Sequence, residues 1–253
     1  LILFNLFFQS TTEVEQWGLR YNTLITEPQL RSRYAMALAI FDLDNTLIGG
    51  DSDHLWGEFL VRHGHVDKDF YRRENDRFYA QYVAGTLDIE EWLSFQFAPL
   101  AAQDMATLKR WHQQFMLEEI QPIMLPKAEE LIESHRTKGD TLLVITATNH
   151  FITAPIVERL GIPHLIATIP EQLNGAFTGQ VDGLPSYQQG KITRLEAWLK
   201  EHPLSMEGST FYSDSHNDLP LLKQVEFAVA VDPDEILRET AQQHNWPILS
   251  LRG

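Results

Sequence analysis

Ala39-Ile40-Phe41-Asp42-Leu43-Asp44-Asn45-Thr46-Leu47 sets two carboxylates two residues apart at the end of an apolar run. On a strand, that spacing aims both side chains at one face. Thr46 and the pair Gly49-Gly50 then turn the backbone out of the sheet. The carboxylates are therefore expected in the crevice beyond the strand's C-terminal end, where open α/β sheets bind ligands. Two adjacent acids there attract a metal ion. Taken alone, the triplet also fits a solvated Asp-x-Asp turn or the metal motif of a glycosyltransferase, so the rest of the chain has to decide.

Downstream of Asp44 the pattern is helical for a long interval. Leu55, Phe59 and Leu60 recur at helical spacing, as do Phe78, Tyr82 and Val83, then Ile89, Trp92 and Leu93, then Met105, Leu108, Trp111 and Phe115, with Gly64 and Gly85 as punctuation. Four helices between two sheet strands read as an insertion covering the crevice, and their aromatic stripes read as core packing.

From Pro126 the alternation is regular: helix 128–135 ending near Gly139, strand 142–146, helix 152–160, strand 165–168, helix 191–200, strand 210–213, helix 219–225, strand 227–231, a helix from Asp234 and strand 247–251. Asn174-Gly175 and Asp182-Gly183 flank 177–181, which predicts a hairpin. Strands this apolar are expected to be buried on both faces, as in a parallel sheet.

Four polar groups fall after strands or at a helix start: Asp42 with Asp44, Thr146, Lys191, and Ser213-Asp214-Ser215-His216-Asn217-Asp218. Singly they read as a helix cap, a solvated lysine or a capping turn. Together they supply a carboxylate cluster for a metal, a hydroxyl donor and a cation, which are the parts needed to transfer a phosphoryl group. In this order and spacing they resemble the four motifs of the haloacid dehalogenase superfamily. The helical insertion directly after the first motif resembles its subfamily IB, the phosphoserine-phosphatase-like group. The resemblance covers Met36 to the C-terminus.

The resemblance implies an α/β fold with a Rossmann-like, mostly parallel sheet as core (36–50 and 126–253) and an inserted all-helical C1-type cap (51–125). It implies a phosphomonoester hydrolase in which Asp42 attacks phosphorus to form an aspartyl phosphate. Asp44 would protonate the leaving alcohol and then activate water. Mg2+ would be held by Asp42, the carbonyl of Asp44 and Asp214, with Asp218 supporting the metal's waters or orienting Lys191. Thr146 and Lys191 would clamp the phosphoryl oxygens, and Asn217 would contact phosphate or cap. His150 and His216, each beside a motif, are further candidates for substrate contact. His63-Gly64-His65 is better read as a surface turn than as a metal pair.

Composition bounds the partners. The 253 residues are 43% hydrophobic and 22% charged, with a formal charge of -15 and no cysteine. A negative field repels nucleic acid and anionic membrane. The lack of cysteine excludes a disulfide framework and thiol catalysis and fits a reducing, cytoplasmic setting. The apolar runs at 1–8 are far shorter than the ~20 residues of a membrane span. Residues 5–10 resemble a tag-protease scar, so 1–35 are expected to be a tag remnant or extension and Met36 a natural start. Oligomeric state is not legible.

Substrate choice is read from a departure. The related phosphoserine phosphatases carry an acid nine residues beyond the nucleophile that pairs with the substrate ammonium, and here that position is Asp51. Their cap arginine, which pairs with the substrate carboxylate, aligns with Gln96. A neutral amide cannot offer the bidentate charged fork that a carboxylate calls for, unless Arg72, Arg73 or Arg77 replaces it. The expected substrate is therefore an amino-alcohol phosphate without a carboxylate, with L-histidinol phosphate ahead of O-phosphoserine and Trp56, Tyr79 or Trp92 available to stack on an imidazole. A silent phospho-ligand sensor is the alternative of another class, and it would need no general acid.

Overall fold

The computed structural model describes residues 37–83 and 86–253. The expectations for 1–35, for a start at Met36 and for Gly85 lie outside the described residues, as do the side chains of Tyr79, Tyr82 and Val83. Strand β1 (Leu38–Phe41) is buried along its whole length. It pairs in parallel with β2 (Thr141–Asn149) on one side and β6 (Thr210–Ser213) on the other. With β3 (His164–Thr168), β7 (Phe227–Val231) and β8 (Ile248–Leu249), the sheet runs β3-β2-β1-β6-β7-β8 and is parallel throughout. The chain leaves β1 first toward β2 and later returns to β6. Strand order thus reverses around β1, and the loops after β1, β2 and β6 open at one edge, the usual ligand crevice of such sheets.

Alternation along β1 feeds two cores. Ala39 and Phe41 pack with Ala128 and Ile132 of α5 (Pro126–Lys138), while Leu38 and Ile40 pack with Ile192 and Leu195 of α7 (Gln189–Glu201) and Leu237 of α9 (Glu235–His244). Helices thereby cover both faces, as a parallel sheet requires. Helix α5 begins on Pro126 and ends on Gly139, whose φ of 83° supplies the left-handed cap.

Between β1 and β2 the chain forms α1 (Ser52–Arg62), α2 (Lys68–Val83), α3 (Ile89–Ala101) and α4 (Met105–Phe115), matching the helical interval of the sequence. Asp51, Asp88 and Asp104 cap α1, α3 and α4 by accepting backbone N–H bonds, each such cap worth about 1 kcal/mol. The chain returns through a π-helical turn at Met116–Ile120 and a 3-10 turn at Gln121–Ile123. There it meets the outgoing segment: Gly49 donates to Ile123 at 2.8 Å and Ile48 bridges Met124. The insertion therefore joins the sheet through two paired crossings.

Helix α6 (His150–Arg159) links β2 to β3, and β4 (Pro170–Leu173) and β5 (Ala176–Val181) form the expected antiparallel hairpin. Asn174 and Gly175 at its turn both have positive φ, as a two-residue hairpin turn demands. Two expectations need correction. The last strand is two residues long and half exposed at the sheet edge, because the Leu251 N–H is taken by Asp232 Oδ2 at 3.0 Å and the chain turns away. The helix expected over 219–225 is α8 (Leu219–Leu222), since Gln224 folds back onto Leu221 O to feed β7.

Candidate active site

Asp42 follows β1 and stays registered to the sheet through its N–H, which donates to Tyr212 O at 2.9 Å. The chain then turns at Asn45, whose φ of 56° is left-handed, and Leu47 N–H closes the turn onto Leu43 O. Thr46 sits fully buried beneath it. Its Oγ1 donates to Asp214 Oδ1 and accepts from Asp214 N–H, both at 3.1 Å, tying the first carboxylate loop to the one after β6.

Lys191 projects from the first turn of α7 and is 4% exposed. Its Nζ donates to Asp42 Oδ1 at 2.9 Å and lies 2.7 Å from Asp218 Oδ1 and 2.9 Å from Asp218 Oδ2. Ser213 Oγ also donates to Asp218 Oδ2 at 2.8 Å. Burial alone would lower the lysine's pKa, but Asp218 and Asp42 outweigh it and hold the ammonium charged. Both Asp218 oxygens are engaged by these donors, an arrangement that favours orienting Lys191 over holding a metal's waters.

Asp44 turns its carboxylate away from this cluster. Its Oδ1 accepts from Ser52 N–H at the start of α1 at 2.7 Å, and its Oδ2 accepts from Thr148 Oγ1 at 2.9 Å and more distantly from Thr146 Oγ1 at 3.4 Å. Burial first, then the charge of Asp51, push its pKa up to about 6 against these bonds. A carboxyl group poised there can give or take a proton near neutral pH.

One cavity of about 480 Å³ is lined by Asp42, Asp44, Asp51, Thr146, Lys191, Asp214, Asn217, Asp218 and Gln96, so all the site residues inferred from the sequence come together. Asn217 accepts from Gln188 Nε2 at 3.2 Å. Asp51 is the exposed cap of α1, its Oδ1 accepting from Asp53 and His54 N–H at 2.9 Å. Gln96 is 4% exposed and bonded at both ends of its amide: Nε2 donates to Asp53 Oδ2 at 2.9 Å, and Oε1 accepts from Tyr71 OH at 3.2 Å.

Other candidates lie elsewhere. His216 is turned onto Asp234, 2.8 Å from Nδ1, and His150 faces a different groove, so neither lines the cavity. His63 pairs with Glu118, and His65 stacks on Trp111 at 3.8 Å, in a turn on the helical insertion. Trp56 is core, packed on Phe59, Phe115 and Phe151, whereas Trp92 lines the cavity. Arg72, Arg73 and Arg77 do not line it; Arg77 is spent on Glu74 and Glu91. Thr148 is the contributor that sequence reading missed, although Thr146-x-Thr148 puts two hydroxyls on one face of a strand; Thr46 entered only as a turn residue of the first motif, and Asp53 only as one more acid of the helical insertion.

Among the described residues, no three His, Asp or Glu side chains converge as a ready metal cage. The expected set asks for only two side chains, Asp42 and Asp214, beside the Asp44 carbonyl. Burial pushes Asp214 up to about 7, and burial together with Asp218 and Asp214 pushes Asp42 up against the pull of Lys191. One ammonium does not neutralise these acids. An all-oxygen donor set with unmet negative charge fits a hard divalent ion such as Mg2+.

The family model for haloacid dehalogenase-like hydrolases matches residues 39–223. The chain is 45% identical over 219 residues to a histidinol-phosphatase of Neisseria meningitidis serogroup C, covering 85% of this chain and 99% of that one. It superposes on a solved Bordetella pertussis Tohama I protein with a TM-score of 0.82 at 41% identity, covering 86% and 99% of the two chains. It also superposes on a substrate-bound phosphoserine phosphatase with a TM-score of 0.62, at 19% identity and 86% and 94% coverage, a likeness of fold.

Proposed function

The chain belongs to the haloacid dehalogenase-like hydrolases and is a phosphatase of that family; from that premise we propose that it hydrolyses L-histidinol phosphate in the cytoplasm. The observation that carries the reading is one cavity with a complete phosphoryl-transfer set on its sheet side and, among the described residues, no arginine on its helical side. The name of the Neisseria relative points the same way. The division into a core of 36–50 and 126–253 and a cap of 51–125 belongs to this proposal.

In this reading Asp42 attacks phosphorus and forms an aspartyl phosphate as the P–O bond to the alcohol breaks. Asp44 delivers its proton to that oxygen, then takes one from the water that cleaves the acyl phosphate. Lys191, fixed by Asp218, and Thr146 lie against the phosphoryl oxygens and offset charge that grows there. Asp42, Asp214 and the Asp44 carbonyl would hold Mg2+, which supplies further charge neutralisation at the phosphoryl group. Asn217 and Gln188 line the same cavity.

O-phosphoserine is the runner-up, and it is disfavoured because its carboxylate would meet acids rather than arginine. A silent sensor has no use for a carboxyl poised near neutrality at Asp44. Phosphate release from histidinol phosphate with magnesium, its reversible loss in chelator, and a phosphorylated Asp42 peptide after acid quench are the expected results. Full turnover in excess chelator, or phosphate trapped on another residue, contradicts the reading.

A further inference from the structure

Asp53 is the acid that the reaction leaves unused. It lies in the first turn of α1 and lines the cavity. Among the described residues its carboxylate has one hydrogen-bond partner, Gln96, and no cation. That bond is the end of a chain, Tyr71 OH to Gln96 Oε1 and Gln96 Nε2 to Asp53 Oδ2, whose two inner members are 2% and 4% exposed. The chain fixes Oδ2 as an acceptor and leaves Oδ1 without a protein donor. Burial, with the charges of Asp51 and Asp44, raises its pKa well above the carboxylate range, so a cation or N–H donor there is strongly favoured.

The surroundings say what shape that donor has. Trp92 and Leu93 lie four and three residues before Gln96 on α3, on the same helical face, and both line the cavity with Phe78 and Phe97. A hydrated ammonium gains little from such a wall. A flat ring with apolar faces and an N–H edge fits it, with offset or edge contacts to Trp92 and its N–H on the carboxylate. Of the other helical-side acids that line the cavity, Asp76 is exposed and Asp51 has its Oδ1 already engaged by two α1 N–H groups.

We propose that Asp53, held by Gln96 and Tyr71, is the specificity residue that receives the imidazole N–H of the substrate against the Trp92 and Phe97 wall, leaving Asp51 to the ammonium group. Asp53 and the ring share one proton, whichever of them carries it. A substrate carboxylate brings neither an N–H nor a cation to this acid and adds to the negative charge of Asp51 and Asp44 around it, which makes the site selective in both directions.

This inference rests on the histidinol phosphate reading, and one set of kinetics separates the two. Wild type, Asp53→Asn and Tyr71→Phe are compared on L-histidinol phosphate and on its phenyl analogue, phenylalaninol phosphate, which keeps the ammonium and loses the ring N–H. For Asp53→Asn, kcat/KM on histidinol phosphate is expected to fall about 10–100-fold, mostly in KM, as for a lost charge-assisted hydrogen bond. The phenyl analogue should change less than about 3-fold, and Tyr71→Phe should show a smaller loss of the same selective kind. Equal losses on both substrates, or none on either, overturn the role of Asp53 while histidinol phosphate remains a good substrate. A wild type that turns over the phenyl analogue as well as histidinol phosphate overturns ring recognition, and one that ignores both overturns the underlying reading together with this inference.

Discussion

The two walls of the cavity treat charge in opposite ways. On the sheet side Lys191 binds both Asp42 and Asp218, Ser213 supports Asp218, Thr46 holds Asp214, and Ser52 and Thr148 hold Asp44. On the helical side Asp53 has an amide for company, and Arg77 is taken by Glu74 and Glu91. The first wall is a hydrogen-bonded arrangement that any phosphomonoester would use, and the charge Lys191 leaves unmet there is the charge a divalent ion would take up. The second is a set of unmet charges whose partner is the substrate.

Variants on the sheet side should therefore cost turnover on every substrate. Asp42→Asn keeps the volume and removes the nucleophile, and phosphate release should drop to background while the circular dichroism spectrum is unchanged. Next in size, Asp44→Asn should slow alkyl phosphates by about 10²–10⁴-fold, the usual contribution of a general acid. It should slow p-nitrophenyl phosphate far less, because that leaving group needs no proton. The same residue sets a pH signature. Asp44 delivers a proton, so the kcat/KM ratio of histidinol phosphate to p-nitrophenyl phosphate should fall as pH rises through the region above about 6. A flat ratio would remove Asp44 from that step.

Smaller effects sharpen the contrast. Thr148 stabilises the ionised form of Asp44, so Thr148→Val should move that fall in the ratio upward in pH and leave substrate preference alone. A change of preference without a pH shift would mean that Thr148 belongs to the selecting wall. Gly57→Ala tests the other wall from behind. A Cβ there would stand 2.7 Å from the Tyr71 ring, so Tyr71 must move. A stability loss of about 1–3 kcal/mol is expected from thermal unfolding, with a raised KM for histidinol phosphate and little change in kcat.

Much of this was legible in the sequence because the reaction depends on spacing. Asp42-x-Asp44 after an apolar run, Thr146 in a strand, Lys191 at a helix start and the Ser213–Asp218 turn each sit where local pattern puts them. Their convergence then follows from parallel strand order. The helical interval was equally plain from its 3.6-residue periodicity. The specificity wall was not, because it joins Asp53, Tyr71 and Gln96 from three helices whose mutual packing no periodicity encodes. Asp51 looked like the natural amine partner by counting, yet the fold also uses it to cap α1, and the half-buried acid is two residues on. Trp56 failed as a stacking candidate for the same reason: an aromatic at helical spacing is as good a core residue as a lining one. The shortness of β8 depended on Asp232 taking the Leu251 N–H, a contact across 19 residues.

The contrast between the walls is tested most directly by the wild-type enzyme itself, with kcat/KM measured in magnesium for L-histidinol phosphate and for O-phosphoserine. Both present the same phosphoryl ester to the sheet side and the same ammonium to Asp51, and they differ in what they offer Asp53 and the rest of the helical side. Like-charge juxtaposition at a binding site costs several kcal/mol, so histidinol phosphate should be preferred by about 10-fold or more. Equal or better turnover of phosphoserine would contradict the account.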